Sequence, residues 1–162
     1  MTSNQPTRTQ RFVGYRVGDT YCLSPTITLS AIAESPDKLV QLPGSKAWLM
    51  GVARMGKELV PYINLPHFLS LPGSDSKDAP NGSPVLIMKD ASGIGSIGLK
   101  VDELVGFIPT ALISDDGDSN YAVPVGLGSC LCGTVQAKGR TWALIDLMNI
   151  LNDPKLQKID LS

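Results

Sequence analysis

Apolar and polar residues alternate along this chain in short runs, and Gly, Asp and Asn punctuate them. Phe12 to Val17 forms one such run, Gly18-Asp19 interrupts it, and Tyr21-Cys22-Leu23 resumes it, which predicts a strand, a turn and a second strand. Val85 to Met88, the turn residues Asp90 to Gly95, and Ile97 to Val101 repeat that plan in the second half. Two fifteen-residue stretches also echo each other: Gly51 to Leu65, GVARMGKELVPYINL, and Gly133 to Leu147, GTVQAKGRTWALIDL, 82 positions further on. Each opens on Gly, carries a Gly/Lys turn, rises into an apolar run and closes on Ile-Asn/Asp-Leu. A spacing of about half the chain is too long for a solenoid and predicts one small unit built twice, giving two similar lobes.

Asn64 and Asp146 stand at the ends of apolar strands, just ahead of Leu65 to Leu69 and Leu147 to Leu151. An N-cap belongs there, so two brief helices are predicted, and Asn152-Asp153-Pro154 stops the second. Ser70 to Pro84 holds three Pro, two Gly and four Ser, and is predicted as a surface loop or the seam between lobes. Residues 1–10 and 153–162 read as tails around a domain over 11–152, in which some chain exchange between the lobes is expected. Many short strands with regular turn residues point to an all-β fold of small antiparallel barrels.

Composition fits a compact protein that offers little catalytic material. With 162 residues, 43% of them hydrophobic and 18% charged, the chain can bury a core. Fourteen Lys plus Arg against fifteen Asp plus Glu give a net charge of -1, which steers the protein toward neither nucleic acid nor an anionic membrane. The opening MTSNQPTRTQR lacks the apolar core of a secretory signal, and no apolar run approaches the ~20 residues of a spanning helix. A cytoplasmic protein without direct membrane insertion is expected. Cys130 and Cys132, two apart in an extended stretch, would share a face, but Cα atoms roughly 6.5 Å apart strain a disulfide. Together with Cys22 they are expected as reduced, small core residues.

Several stretches resemble active sites without completing one. Gly93-Ile94-Gly95-Ser96-Ile97-Gly98 matches the dinucleotide fingerprint G-x-G-x-x-G, which must open a helix, whereas Ile97 to Val101 suits a strand; a hairpin turn is the expectation. His67, the single histidine, has no nucleophile motif beside it. Cys22, His67, Cys130 and Cys132 include zinc-ligand types, but C-x-C lacks the usual spacing, so no metal is expected. Asp115-Asp116-Gly117-Asp118 lacks the pattern of a calcium loop. Asp102 and Glu103, adjacent on a strand, would point to opposite faces and cannot flank one substrate. No cofactor is expected, and a protein that works by its surfaces is.

Phe12 to Asp19, Leu42-Pro43-Gly44-Ser45 followed by Trp48 to Val52, Leu59 to Leu65, and Gly98 to Leu104 together resemble the CheW-like domain, over roughly residues 11 to 152. Leu42 to Trp48 is most similar to the PilI-type members of type IV pilus chemosensory systems. The resemblance implies two SH3-like five-stranded barrels on a shared core. It implies a non-enzymatic adaptor, recruited to receptor arrays, for twitching or flagellar motility. Its partners would be the regulatory domain of a CheA-type histidine kinase and the cytoplasmic tip of a methyl-accepting receptor, the receptor's helical hairpin docking between the lobes.

Family members commonly read G-V-x-N-x-R-G before the Pro-x-Ile-Asp-Leu strand, with the Gly and Arg important for receptor binding. Gly51 and Val52 match, while Arg54, Gly56 and Lys57 stand where Asn, Arg and Gly are usual. Arg54 lies two residues before the family arginine and could supply its charge from the same side of the strand. Val85 is similar to another receptor-contact position. Gly51, Arg54, Gly56, Lys57 and Val85 are therefore the candidate receptor-binding residues, with a turn glycine, a solvated arginine and a core valine as the plainer readings. The alternative function is a small β-barrel accessory module that holds a nucleotide on the Gly93 to Gly98 loop.

Overall fold

The computed structural model describes residues 11–71, 82–89, 95–115 and 122–157. In chain order these hold strands β1 (Arg11–Val17), β2 (Thr20–Pro25), β3 (Ala31–Glu34), β4 (Leu49–Met55) and β5 (Glu58–Asn64), then helix α1 (Leu65–Phe68). Strands β6 (Pro84–Lys89), β7 (Ser96–Lys100), β8 (Glu103–Pro109), β9 (Leu131–Ala137) and β10 (Arg140–Ile145) follow, with helices α2 (Leu147–Leu151) and α3 (Pro154–Gln157) at the end.

The strands build two five-stranded sheets, ordered β8, β1, β2, β10, β9 and β3, β6, β7, β5, β4. Each sheet therefore takes the leading hairpin of one sequence half and three strands of the other. Among the described residues neither sheet is closed by a strand ladder; one isolated bridge ties an edge strand of each to the segment that follows the opposite edge, Gln136 of β9 to Ser114 in the first and Val52 of β4 to Val40 in the second. The result is a pair of SH3-like, nearly closed barrels, as an all-β reading of the sequence requires.

Alternation along each strand divides the apolar residues among three cores. Inside the first barrel lie Leu23, Ile108, Val135 and Trp142. Inside the second lie Val60, Tyr62, Val85 and Ile87. The opposite faces of the same strands, with Val13, Tyr15, Leu86, Leu99 and Ile145 among them, meet in a larger core between the lobes, joined there by Leu65, Phe68 and Leu147 from the helices. Both barrels make room for a large ring with a glycine. A Cβ at Gly14 would stand 3.0 Å from Trp142, and one at Gly98 would stand 2.8 Å from Tyr62.

The fifteen-residue repeat is real at the level of backbone. Gly51 and Gly133 share φ values of 144° and 143°, a region that favours glycine. The amides of Asn64 and Asp146 bond the carbonyls of Trp48 and Cys130, again 82 positions apart, each at 2.8 Å. The caps differ: Asp146 Oδ1 accepts from the Met148 amide at 3.0 Å, whereas Asn64 makes no side-chain capping bond. Two further expectations are corrected. The segment beyond 152, expected as a tail, forms α3 and buries Leu156 in the shared core. Cys132, expected inside, is exposed, while Cys22 and Cys130 are buried. The cause is a register shift: Leu131 faces Ile145 and Gly133 faces Leu144, so Cys132 is the extra residue of a bulge and breaks the alternation.

Candidate functional site

Only the β4–β5 hairpin carries four of the five candidate residues. Gly51, Arg54, Gly56 and Lys57 fall on it, and Gly56, with φ of 61°, makes its tight turn. Arg54, Met55, Gly56, Lys57, Glu58 and Leu59 are all exposed. Val85 is elsewhere: it is fully buried inside the second barrel, its Cγ1 within 3.0 Å of where a Gly98 Cβ would stand. Burial leaves that side chain no surface to offer a partner, and the core reading describes its place.

Gly51 is also buried, yet it governs where Arg54 points. Leu49 faces Ile63, but Gly51 faces Tyr62, so Met50 is an extra residue and the strand changes parity there. Beyond the bulge Val52 faces Pro61 and Arg54 faces Leu59, which puts Arg54 on the same face as Leu49 and Ile63. Those two residues belong to the core between the lobes, so Arg54 and Leu59 carry the same strand face on to where it is exposed. A Cβ at Gly51 would stand 2.9 Å from the Val40 carbonyl oxygen, so the bulge needs glycine both for its φ and for space. The turn-glycine reading and the site reading of Gly51 thus meet: it positions Arg54 rather than touching anything outside.

The charges on the hairpin are unevenly used. Glu58 Oε2 accepts from the Ser96 amide at 3.0 Å, which anchors the tip to the start of β7. Arg54 and Lys57 have no hydrogen bond or ion pair among the described residues. The tip presents two uncommitted cations flanked by Met55, 36% exposed, and Leu59, 43% exposed. Chemically this suits contact with an apolar surface rimmed with carboxylates.

The other motifs resolve into structure. Gly93 and Ile94 lie outside the described residues, but Ser96–Lys100 is a buried strand, so no helix opens on the glycine run as a dinucleotide site requires. Asp102 and Glu103 do part company. Asp102 accepts from the Gly18 amide at 2.6 Å and from Lys100 Nζ at 3.1 Å, while Glu103 pairs with Arg16 Nε at 3.0 Å. Among the described residues no three His, Cys, Asp or Glu side chains gather to hold a metal ion. Burial pushes the Cys130 thiol up to about 11, with Cys132 beside it adding to the effect. Burial, then neighbouring Cys130, raises Cys22 further still. Neither is a reactive thiolate at neutral pH. Of Asp115 to Asp118, only Asp115 lies among the described residues, and it is exposed. His67 sits half-buried in α1 with no side-chain partner among the described residues. Sequence reasoning missed the bulge; the recurrence of Gly at 51 and 133 was its signal.

Comparison with known proteins agrees with this geometry. A family model described as the CheW-like domain matches residues 11–155. Protein PilI of Pseudomonas aeruginosa is 30% identical over 94 residues, 58% of this chain and 49% of PilI, so the match spans about half the length of that relative. The crystal structure of the scaffolding protein TtCheW from Thermoanaerobacter tengcongensis superposes with a TM-score of 0.65 at 13% identity, covering 85% of this chain and 88% of that one. At that identity the likeness is one of fold. The doubled barrel, the glycine bulge before β5 and the family match together place this chain in the CheW-like domain family.

Proposed function

We propose that this protein is a non-enzymatic adaptor that couples a CheA-type histidine kinase to the cytoplasmic tip of a methyl-accepting receptor. The observation that carries the reading is the β4–β5 hairpin. Two cations without a partner among the described residues and two exposed apolar side chains stand together on that hairpin, with Arg54 and Leu59 on the strand face that farther along packs between the lobes. A receptor tip offering carboxylates and apolar ridges on a helical hairpin has the complementary chemistry. The kinase regulatory domain would meet the protein barrel to barrel, in the cytoplasm at receptor arrays. That PilI is among its relatives favours a type IV pilus pathway and twitching motility over flagellar control. Among the described residues no helix is long and apolar enough to cross a membrane, so recruitment would run through the receptor.

The test is a pull-down of purified protein on the immobilised regulatory domain of the cognate kinase, and separately on the receptor's cytoplasmic fragment. Retention on both is expected, and the double change Arg54→Glu, Lys57→Glu should abolish retention on the receptor while sparing the kinase. Failure of the unchanged protein to be retained on either partner would sink the reading.

A further inference from the structure

The exchange of strands between the sheets has a consequence for assembly. Within residues 11–71 the only ladders are the hairpins β1–β2 and β4–β5, and β3 pairs with neither. Among the described residues of 82–157 the only ladders are β6–β7 and β9–β10, and β8 pairs with neither. Every ladder that turns hairpins into sheets runs between the halves: β1–β8, β2–β10, β3–β6 and β5–β7. Isolated hairpins are marginal in water, so neither half holds a sheet stable by itself.

Side chains follow the same rule. Trp142 packs on Gly14 and meets Tyr21 edge-on with centroids 5.7 Å apart, and Tyr62 packs on Gly98. Tyr15 bonds Ser24, whose hydroxyl donates to the Ile145 carbonyl at 2.9 Å, and Gly18 donates to Asp102. All but the Tyr15–Ser24 bond cross the middle of the chain. We infer that the two halves are mutually obligate partners whose recognition is complete without the covalent link, so the cut chain behaves as a tight heterodimer of two fragments that are unfolded when apart.

A protease site inserted between Ser76 and Lys77 allows the folded, full-length protein to be nicked. The nicked protein is expected to elute as one species at the mass of its uncut form and to keep the near-ultraviolet circular dichroism of the folded chain, to which Trp48 and Trp142 contribute one from each half. Its thermal midpoint should fall on hundred-fold dilution, while that of the uncut protein stays fixed. Fragments parted in denaturant should lack that signal singly and regain it on mixing. Two separately folded fragments after nicking, or a midpoint indifferent to dilution, would overturn the inference. Hydrogen exchange on the intact, uncut chain reads the same claim independently. Amides of both halves should open together with one common protection, and strands of one half exchanging while the other stays protected would contradict it.

Discussion

The β4–β5 and β9–β10 hairpins occupy equivalent places in the two barrels, yet they are finished differently. At β9–β10, the residues standing where Arg54 and Leu59 stand are Gln136 and Thr141, and they hydrogen-bond each other. Arg140 lies 3.6 Å above the Tyr21 ring, and the Trp142 indole donates to the Ala137 carbonyl, so that tip is spent on its own lobe. At β4–β5 the arginine and lysine have no hydrogen bond or ion pair among the described residues. The two hairpins share one backbone plan, and the difference between them lies in which side chains find partners among the described residues.

The sharpest way to break the equivalence is at Gly126 and Gly44, again 82 positions apart. A Cβ at Gly126 would stand 1.8 Å from the Leu69 carbonyl oxygen, whereas one at Gly44 meets nothing within 4 Å. Gly126→Ala should cost about 3 kcal/mol as backbone shifts across the lobe contact, and Gly44→Ala about 1 kcal/mol for its positive φ, both read by denaturant unfolding. Equal losses would mean that the lobes do not meet where we place them.

Alkaline pH compares the core between the lobes, where Tyr15, Cys22 and Cys130 lie, with the interior of the second barrel, where Tyr62 lies. Burial raises the pKa of all four. Each folded pKa lies above its unfolded value, so this stability is fully present below pH 9 and lost as pH rises. Cys130, raised from 9.0 to about 11, should account for about 2–3 kcal/mol of loss by pH 11. Cys130→Ala should flatten that limb of the pH profile, and an unchanged slope would refute the assignment.

Gly51→Ala and Gly133→Ala compare the bulges. Both carry a positive φ, but only Gly51 faces a backbone clash, so losses of about 2 and about 1 kcal/mol are expected. Gly51→Ala should also weaken receptor binding by turning Arg54 away, as binding measured on the surviving folded fraction would reveal. Smallest in stability, and most divided in effect, are the two arginines. Arg140→Ala should cost about 1 kcal/mol through the lost stacking on Tyr21. Arg54→Ala should leave stability within about 0.5 kcal/mol yet lower receptor affinity.

Much of this plan was legible in the residues because period-two alternation and turn glycines are local signals. The leading hairpins, the two short helices and the doubled unit all follow from them. The reciprocal exchange of strands was less so, since pairings such as β2–β10 join residues about 120 positions apart and leave no local mark. Asp146 could be read as a cap because its side chain caps; Asn64 has the same position and is buried without the bond, so position alone misled. Cys132 and Arg54 both depended on a bulge that flips alternation, and a pattern argument that counts by two fails past such a point. For the candidate site, the resemblance led to the hairpin, and the register shows how Gly51 sets the direction of Arg54.

The most direct measurement is a titration of a stoichiometric mixture of protein and kinase regulatory domain with the receptor's cytoplasmic fragment, followed by light scattering. The account calls for a ternary complex containing all three, formed by unchanged protein and lost with Arg54→Glu, Lys57→Glu while the kinase complex survives. A receptor fragment that displaces the kinase domain, or binds neither form, would contradict it.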